Sequence, residues 1–207
     1  MLMLNFPLPV LGFAAFSGSG KTTLLKKLLP LLVKRELRTA VVKHAHHAFE
    51  VDHPGKDSFE LRKAGAAPML VASSQRMAMM LDFSDPENGE AQDPDLLEMI
   101  DYLPLHRLDC VLVEGFKAVP FPKIEIHRPA TGKPLIALDD SNIIAIATND
   151  AAKLKESLRD SGERVNLLPL LDLNDPDAIV DFVVEQVRQQ RLTLQTKSGT
   201  ENKPGAL

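Results

Sequence analysis

Ser17-Gly18-Ser19-Gly20-Lys21-Thr22-Thr23 lies between the apolar run Leu8 to Phe16 and a segment bearing Leu24, Leu25, Leu28 and Leu32. The run is short and unbroken, as a central parallel strand covered on both faces requires. The leucines form one stripe of a helix beginning near Lys21, opposite Lys26, Lys27 and Lys34, and Pro30 predicts a kink or a shortened last turn. A strand, a glycine-rich turn and a helix in that order bring backbone N–H groups to converge on a phosphate chain, which glycine lets approach closely. In that reading Lys21 reaches the β- and γ-phosphates, the Thr22 hydroxyl ligates Mg²⁺, and the helix adds the positive end of its dipole. The full phosphate-loop pattern has glycine where Ala15 stands. The competing reading is an ordinary glycine-rich turn that caps a helix; the strand–loop–helix setting of Gly-Lys-Thr favours phosphate.

Working outward, Thr39 to His44 reads as a second strand. Asp57 with Glu60 three residues on forms a capping-box start for a helix over Ser58 to Lys63, and Gly65 suits its end. Ala67 to Ser73 and Met77 to Phe83 read as strands of a hairpin. Asp85 to Asp93 is a polar loop; Asp93 then caps a helix with Pro94 at its first position and Leu96, Leu97, Ile100 and Leu103 on one side. Leu108 to Val113 is a buried strand ending at Glu114-Gly115, and Ile124 to His127 and Ile143 to Thr148 are further strands. Asn174 or Asp175 caps a last helix with the stripe Val180, Val183, Val184 and Val187. From Thr193 the chain is polar and aperiodic. The expected organisation is one domain over 1–192 and a flexible tail over 193–207. Strands alternating with helices predict an α/β fold, a mostly parallel sheet flanked by helices. Met77–Phe83 and Phe121–His127 are the candidates for antiparallel edge strands, where they can also meet another subunit.

Composition narrows the function classes. The 207 residues carry 24 basic and 28 acidic side chains, a formal charge of −4, which argues against a dedicated DNA binder. Cys110 is the only cysteine, so no intrachain disulfide framework exists and a reducing compartment is expected. Met1 to Phe16 has no basic residue ahead of its apolar stretch, is interrupted by Pro7 and Pro9, and falls short of the roughly 20 residues of a membrane span. The chain reads as cytoplasmic, with neither nucleic acid nor membrane as partner.

Four further segments bear chemistry. Glu114 ends an apolar strand where phosphate-loop proteins hold the water shell of Mg²⁺, although an acidic residue can simply terminate a strand. His44-Ala45-His46-His47, followed by Asp52-His53, places His44 and His46 on one side of an extended chain, as a Zn or Ni pair requires. The same histidines equally suit a phosphate-side, structural or solvated role. Gly55-Lys56-Asp57-Ser58 is either the helix cap or a loop that sets Asp57 or Lys56 beside a γ-phosphate. Asn149-Asp150, closing a late strand, either contacts a guanine base or caps a helix over Ala151–Ser157.

Residues 15–28, Lys-His-Ala-His-His at 43–47, residues 52–66 and Val-Glu-Gly-Phe-Lys at 113–117 together resemble the molybdopterin-guanine dinucleotide biosynthesis protein B family, over about residues 8–190. The resemblance implies that Ala15 is tolerated, and it implies a Rossmann-like P-loop NTPase fold. It also implies a homodimer that binds GTP and Mg²⁺, is at most a weak GTPase, and assists the molybdenum cofactor guanylyltransferase that attaches GMP to molybdopterin. Candidate nucleotide-binding residues are Ser17, Gly18, Ser19, Gly20, Lys21, Thr22 and Thr23 of the motif, joined by Asp57, Asn149 and Asp150 from the readings of their own segments; Thr22 and Glu114 are the candidate metal ligands. One alternative is a nickel-metallochaperone-type GTPase using His44, His46 and His47. Another is a small-molecule kinase with an acceptor site at Asp52–Ser58, which the scattered Arg62, Arg76 and Arg107 do not equip with a lid. No Asp-x-x-Gly-Gln segment presents a water-orienting glutamine and no arginine finger is recognisable in cis, so slow hydrolysis is expected.

Overall fold

A computed structural model describes residues 5–45, 49–83, 93–158 and 163–201. In chain order the elements are β1 Val10–Ala14, α1 Lys21–Lys34, β2 Thr39–Lys43, α2 Asp57–Lys63, β3 Met69–Ala72, β4 Met77–Met80 and α3 Leu96–Asp101. There follow β5 Cys110–Glu114, β6 Lys123–His127, β7 Ile143–Thr148, α4 Ala151–Ser157, α5 Glu163–Asn166, β8 Leu170–Asp172 and α6 Pro176–Glu201. The chain divides into two units, one of Met1–His44 with Leu96–Leu207 and one of Ala45–Asp95.

In the first unit six strands form one sheet in the order β2-β5-β1-β6-β7-β8, every neighbouring pair parallel. All five residues of β1 are buried, because its side chains serve two cores. Leu11 and Phe13 meet Leu24, Leu25, Leu28 and Leu32 of α1 and Ile179, Val180, Val183 and Val187 of α6. Val10 faces the other way, into Leu96 and Ile100 of α3 and Val111 and Val113 of β5. Burying one leucine is worth about 1.5–3 kcal/mol, so the α1 stripe alone fixes this helix against the sheet. Pro30 lies inside α1, which nevertheless runs on to Lys34.

β6 corrects the expectation of an antiparallel edge strand at Phe121–His127. It is an interior strand, parallel to β1 on one side and β7 on the other. The alternation Lys123, Ile124, Glu125, Ile126, His127 mimics a half-solvated strand, yet Lys123 and Glu125 are each only 1% exposed. Their burial is compensated by bonding. Lys123 Nζ donates to the Val119 carbonyl at 2.8 Å and to Asp140 Oδ2 at 3.0 Å. The Glu125 carboxylate accepts the N–H groups of Ile136 and Ala137 at 2.9 and 2.8 Å. Burial raises the Glu125 pKa and those two backbone bonds oppose the rise.

The last helix also departs from expectation. It continues through Glu201, past the Thr193 boundary where apolar periodicity ends. Thr193 and Thr196 return their hydroxyls to the carbonyls of Gln189 and Leu192, so these polar side chains are satisfied on the helix's own backbone. Gln190 anchors the helix by accepting from Val10 N–H and donating to Val10 O. Asp175 caps it, accepting Ala178 N–H at 3.0 Å. α3 starts at Leu96 rather than at Pro94, and β8 and α5 were not foreseen. Among the described residues no helix is long and apolar enough to cross a membrane.

In the second unit β3 and β4 form the expected hairpin, an antiparallel pair in a sheet of its own. Ser73 Oγ closes its turn by accepting from Gln75 and Arg76 N–H.

Asp109 ties three elements of the first unit together. It accepts the backbone N–H and guanidinium of Arg38, ahead of β2, and the Arg191 guanidinium of α6 at 2.6 Å. The Arg38 hydrogen bonds, against some cost of burial and with help from Arg191, hold its carboxyl well below the usual carboxylate range. Such a group stabilises the fold above the unfolded pKa near 3.9 and loses that contribution as pH falls toward the folded value. Asp109→Asn should therefore cost about 1–2 kcal/mol at pH 7, a value discounted for the exposure of the arginines. Urea unfolding at pH 7 and pH 3 checks this: the gap to wild type should narrow at pH 3, and a constant gap contradicts it.

Candidate functional site

The loop after β1 takes its shape from two glycines. Gly18 and Gly20 have φ of 79° and 97°, a region costly to any residue with a Cβ. Ala15 has no such requirement: its backbone lies outside the left-handed region and its methyl is buried in the core beside α1. That is why alanine can stand where the pattern has glycine. Gly20 is the N-cap of α1 and supplies no side-chain cap. Leu24 N–H bonds to Gly20 O at 2.9 Å, and the first-turn N–H groups of Lys21, Thr22 and Thr23 precede that bond. The positive end of a 14-residue helix therefore opens at exposed Ser17, Gly18, Thr22 and Thr23, while Ser19 is buried.

Lys21 folds back over the base of this loop, Nζ donating to the Ala15 carbonyl at 3.0 Å and reaching the Phe16 carbonyl at 3.5 Å. Burial lowers its pKa; Glu114 opposes that shift, and the charges of Lys117 and Lys43 add to it. Glu114 ends β5 in register with Phe13 of β1 and Lys43 of β2, and Lys43 Nζ lies 3.7 Å from its Oε1. The chain then turns sharply. Gly115 has φ of 98°, and a Cβ there would sit 2.6 Å from His44 Cβ. His44 N–H donates to Glu114 O at 2.8 Å, and the His44 ring packs 5.0 Å from that of Phe116. Phe116 itself holds a left-handed φ of 50°, a strained conformation for an aromatic residue. Lys117 Nζ lies 6.0 Å from the Phe16 ring centroid.

The structure adds a residue that sequence reading did not single out. Arg128, just past β6, donates from Nε to Ser19 O at 3.0 Å, and its guanidinium flanks Gly20. Nothing local links residues 19 and 128. The available signal was topological, since a strand beside β1 delivers its exit next to the loop. Asn149 and Asp150 leave β7 at the same edge of the sheet and are exposed. Asp150 caps α4, its Oδ1 accepting Lys153 N–H at 2.9 Å. Ser17–Thr23, Glu114, His44, Arg128, Asn149 and Asp150 thus all follow the carboxyl ends of parallel strands, the edge where open α/β sheets bind ligands.

Asp57 belongs to the second unit, and there the capping-box expectation is corrected. The cap position of α2 is Lys56, which offers no side-chain cap, and Asp57 is the first helical residue. The local organiser is Asp52, whose Oδ1 accepts His53 N–H at 3.0 Å and Ser58 Oγ at 3.1 Å. His46 and His47 lie outside the described residues. Among the described residues no group of three or more His, Cys, Asp or Glu side chains is arranged to hold a metal ion.

Residues 10–149 match the family model described as molybdopterin guanine dinucleotide synthesis protein B. The molybdopterin-guanine dinucleotide biosynthesis adapter protein of Escherichia coli (strain K12) is 43% identical over 184 residues, 88% of this chain and 95% of that protein. Its namesake in Haemophilus influenzae is 37% identical over 187 residues, 88% and 92% of the two chains. The crystal structure of Bacillus subtilis MobB superposes with a TM-score of 0.61 at 26% identity, covering 86% of this chain and 98% of its own.

The Gly115 turn is directly testable. Gly115→Ala combines a left-handed backbone with a collision against His44 and should destabilise by about 1–3 kcal/mol. Gly132→Ala, at a φ of 64° with nothing within 4 Å of the added methyl, isolates the backbone part. Chemical denaturation should show the larger loss for Gly115→Ala; equal losses would mean that the close approach of His44 is unimportant.

Proposed function

The chain belongs to the molybdopterin guanine dinucleotide synthesis protein B family, and from that we propose that it is an adapter in molybdopterin guanine dinucleotide formation that binds GTP and Mg²⁺ at Ser17–Thr23. The observation that carries this reading is the set of donors at the exit of β1. A left-handed glycine without a side-chain cap opens the helix N-terminus, and a half-buried lysine is braced on the loop's own carbonyls. First-turn N–H groups and a half-buried cation fit a phosphate chain, and an exposed threonine in the first turn of α1, with a carboxylate at the end of β5, fits Mg²⁺.

Each residue then has a task. Lys21 holds phosphate oxygens, and the N–H groups of Gly18 and of Gly20 to Thr23 orient them, while Ser19 N–H closes the loop on Phe16 O at 3.3 Å. Thr22 and Glu114 hold Mg²⁺, which neutralises phosphate charge when bound. Asn149 and Asp150 read the guanine edge, Asp150 doing so alongside its cap of α4. A site built to hydrogen-bond one base edge rejects another by leaving its own groups unpaired, so GTP is preferred over ATP. Hydrolysis is slow, consistent with the lack of an Asp-x-x-Gly-Gln segment. The protein acts in the cytoplasm as a homodimer, and its partner is the guanylyltransferase that joins GMP to molybdopterin.

Calorimetric titration of wild type and Lys21→Ala with GTP and ATP in Mg²⁺ tests the reading. Wild type should favour GTP. Lys21→Ala should lose about ten- to hundred-fold in GTP affinity, as expected for a charge-assisted contact, while its circular dichroism melt stays near wild type. Undiminished GTP binding by the folded variant, or equal affinity of wild type for ATP, overturns it.

A further inference from the structure

Arg128 is the arginine of the first unit that is held against the loop after β1. Arg35, Arg38 and Arg191 each face a carboxylate, and Arg164 donates to the carbonyls of Ala137 and Asp140 in the connection between β6 and β7. Arg128 faces a carbonyl of the phosphate loop, and among the described residues it has no acidic partner. A guanidinium has five N–H donors in a planar fork, and Arg128 commits Nε to Ser19 O while NH2 flanks Gly20. Its backbone is fixed at the same time. The Arg128 carbonyl accepts the Thr131 hydroxyl at 2.8 Å and the Thr131 N–H at 3.0 Å, and Pro129 keeps Arg128 extended. The register sets its reach: Glu125 pairs with Ala14, so Arg128 leaves β6 as the loop leaves β1.

We propose that Arg128 is a phosphate-contacting residue of this site, a second cation from β6 that binds the anionic chain opposite Lys21 and positions the loop through Ser19. The inference rests on the nucleotide-binding reading above. A guanidinium braced on one loop carbonyl, half-buried and lacking a carboxylate, presents its remaining donors to an anion at little conformational cost. The alternative is a purely structural staple of the loop.

The two roles separate on side-chain charge. Attraction to the phosphates grows with their number and needs the positive charge that Lys keeps, whereas a staple on Ser19 O needs only an N–H donor, which Gln keeps. Arg128→Ala, Arg128→Gln and Arg128→Lys are titrated with GTP, GDP and GMP at fixed Mg²⁺, and the nucleotide-free melting temperature of each is recorded. The proposal predicts nucleotide-free melting close to wild type. It predicts a loss of about ten-fold or more for GTP with Ala and Gln, shrinking through GDP to GMP, and partial recovery with Lys. Equal losses for the three nucleotides, or none, overturn the phosphate contact while wild-type binding leaves the nucleotide site standing. A wild type that binds no guanine nucleotide overturns both.

Discussion

The first unit is organised by the burial of β1 on both faces. Covered by α1 and α6 on one side and by α3 on the other, β1 has no freedom to shift register, and its flanking strands β5 and β6 run parallel to it. Parallel pairing forces the three chain exits to one edge of the sheet. There Ala15 to Gly20, Glu114-Gly115 and Arg128 meet, although they are far apart in sequence. The rigidity of the strands gives the loop its definition: Gly20 turns left-handed and α1 is pinned by its leucines, so the first-turn N–H groups of α1, which precede its first internal bond, stay at the exit of β1.

That edge has an electrostatic character unlike the chain as a whole. The protein is acidic overall, with a formal charge of −4. Around the β1 exit, however, stand Lys21, Lys43, Lys117 and Arg128. Glu114 is the carboxylate that moderates them, paired with Lys43 and partly offsetting the desolvation of Lys21. Cations gathered beside an uncapped helix terminus repel one another in the free protein. A polyanion relieves that repulsion, and a divalent cation at Glu114 would balance the charge of the phosphates nearest it.

Much of this was legible in the sequence where one residue type serves one purpose. The turn at the loop glycines, the α1 leucines, the apolar run of β5 ending in Glu114 and the valine stripe of α6 read correctly as structure because local pattern and tertiary role agree. Reading failed where a tertiary contact overrides local pattern. Lys123 and Glu125 look solvated, yet each finds a buried partner, and β6 thereby becomes an interior strand. Thr193 and Thr196 look like the start of a tail but lie within α6, their hydroxyls bonded to carbonyls one turn back. Asp57 looks like a cap, whereas the side-chain bonds of that loop converge on Asp52. Arg128 carries no local signature at all, because its significance arises only from β6 lying beside β1.

The central claim is that the loop between β1 and α1 is where the protein meets its nucleotide, and backbone amide NMR tests it most directly. Titration of the isotope-labelled protein with GTP and Mg²⁺ should shift the N–H resonances of Gly18 to Thr23 saturably at one nucleotide per chain, with accompanying changes at Glu114 and Arg128. A folded protein whose Gly18 to Thr23 resonances stay fixed at saturating GTP would contradict the account.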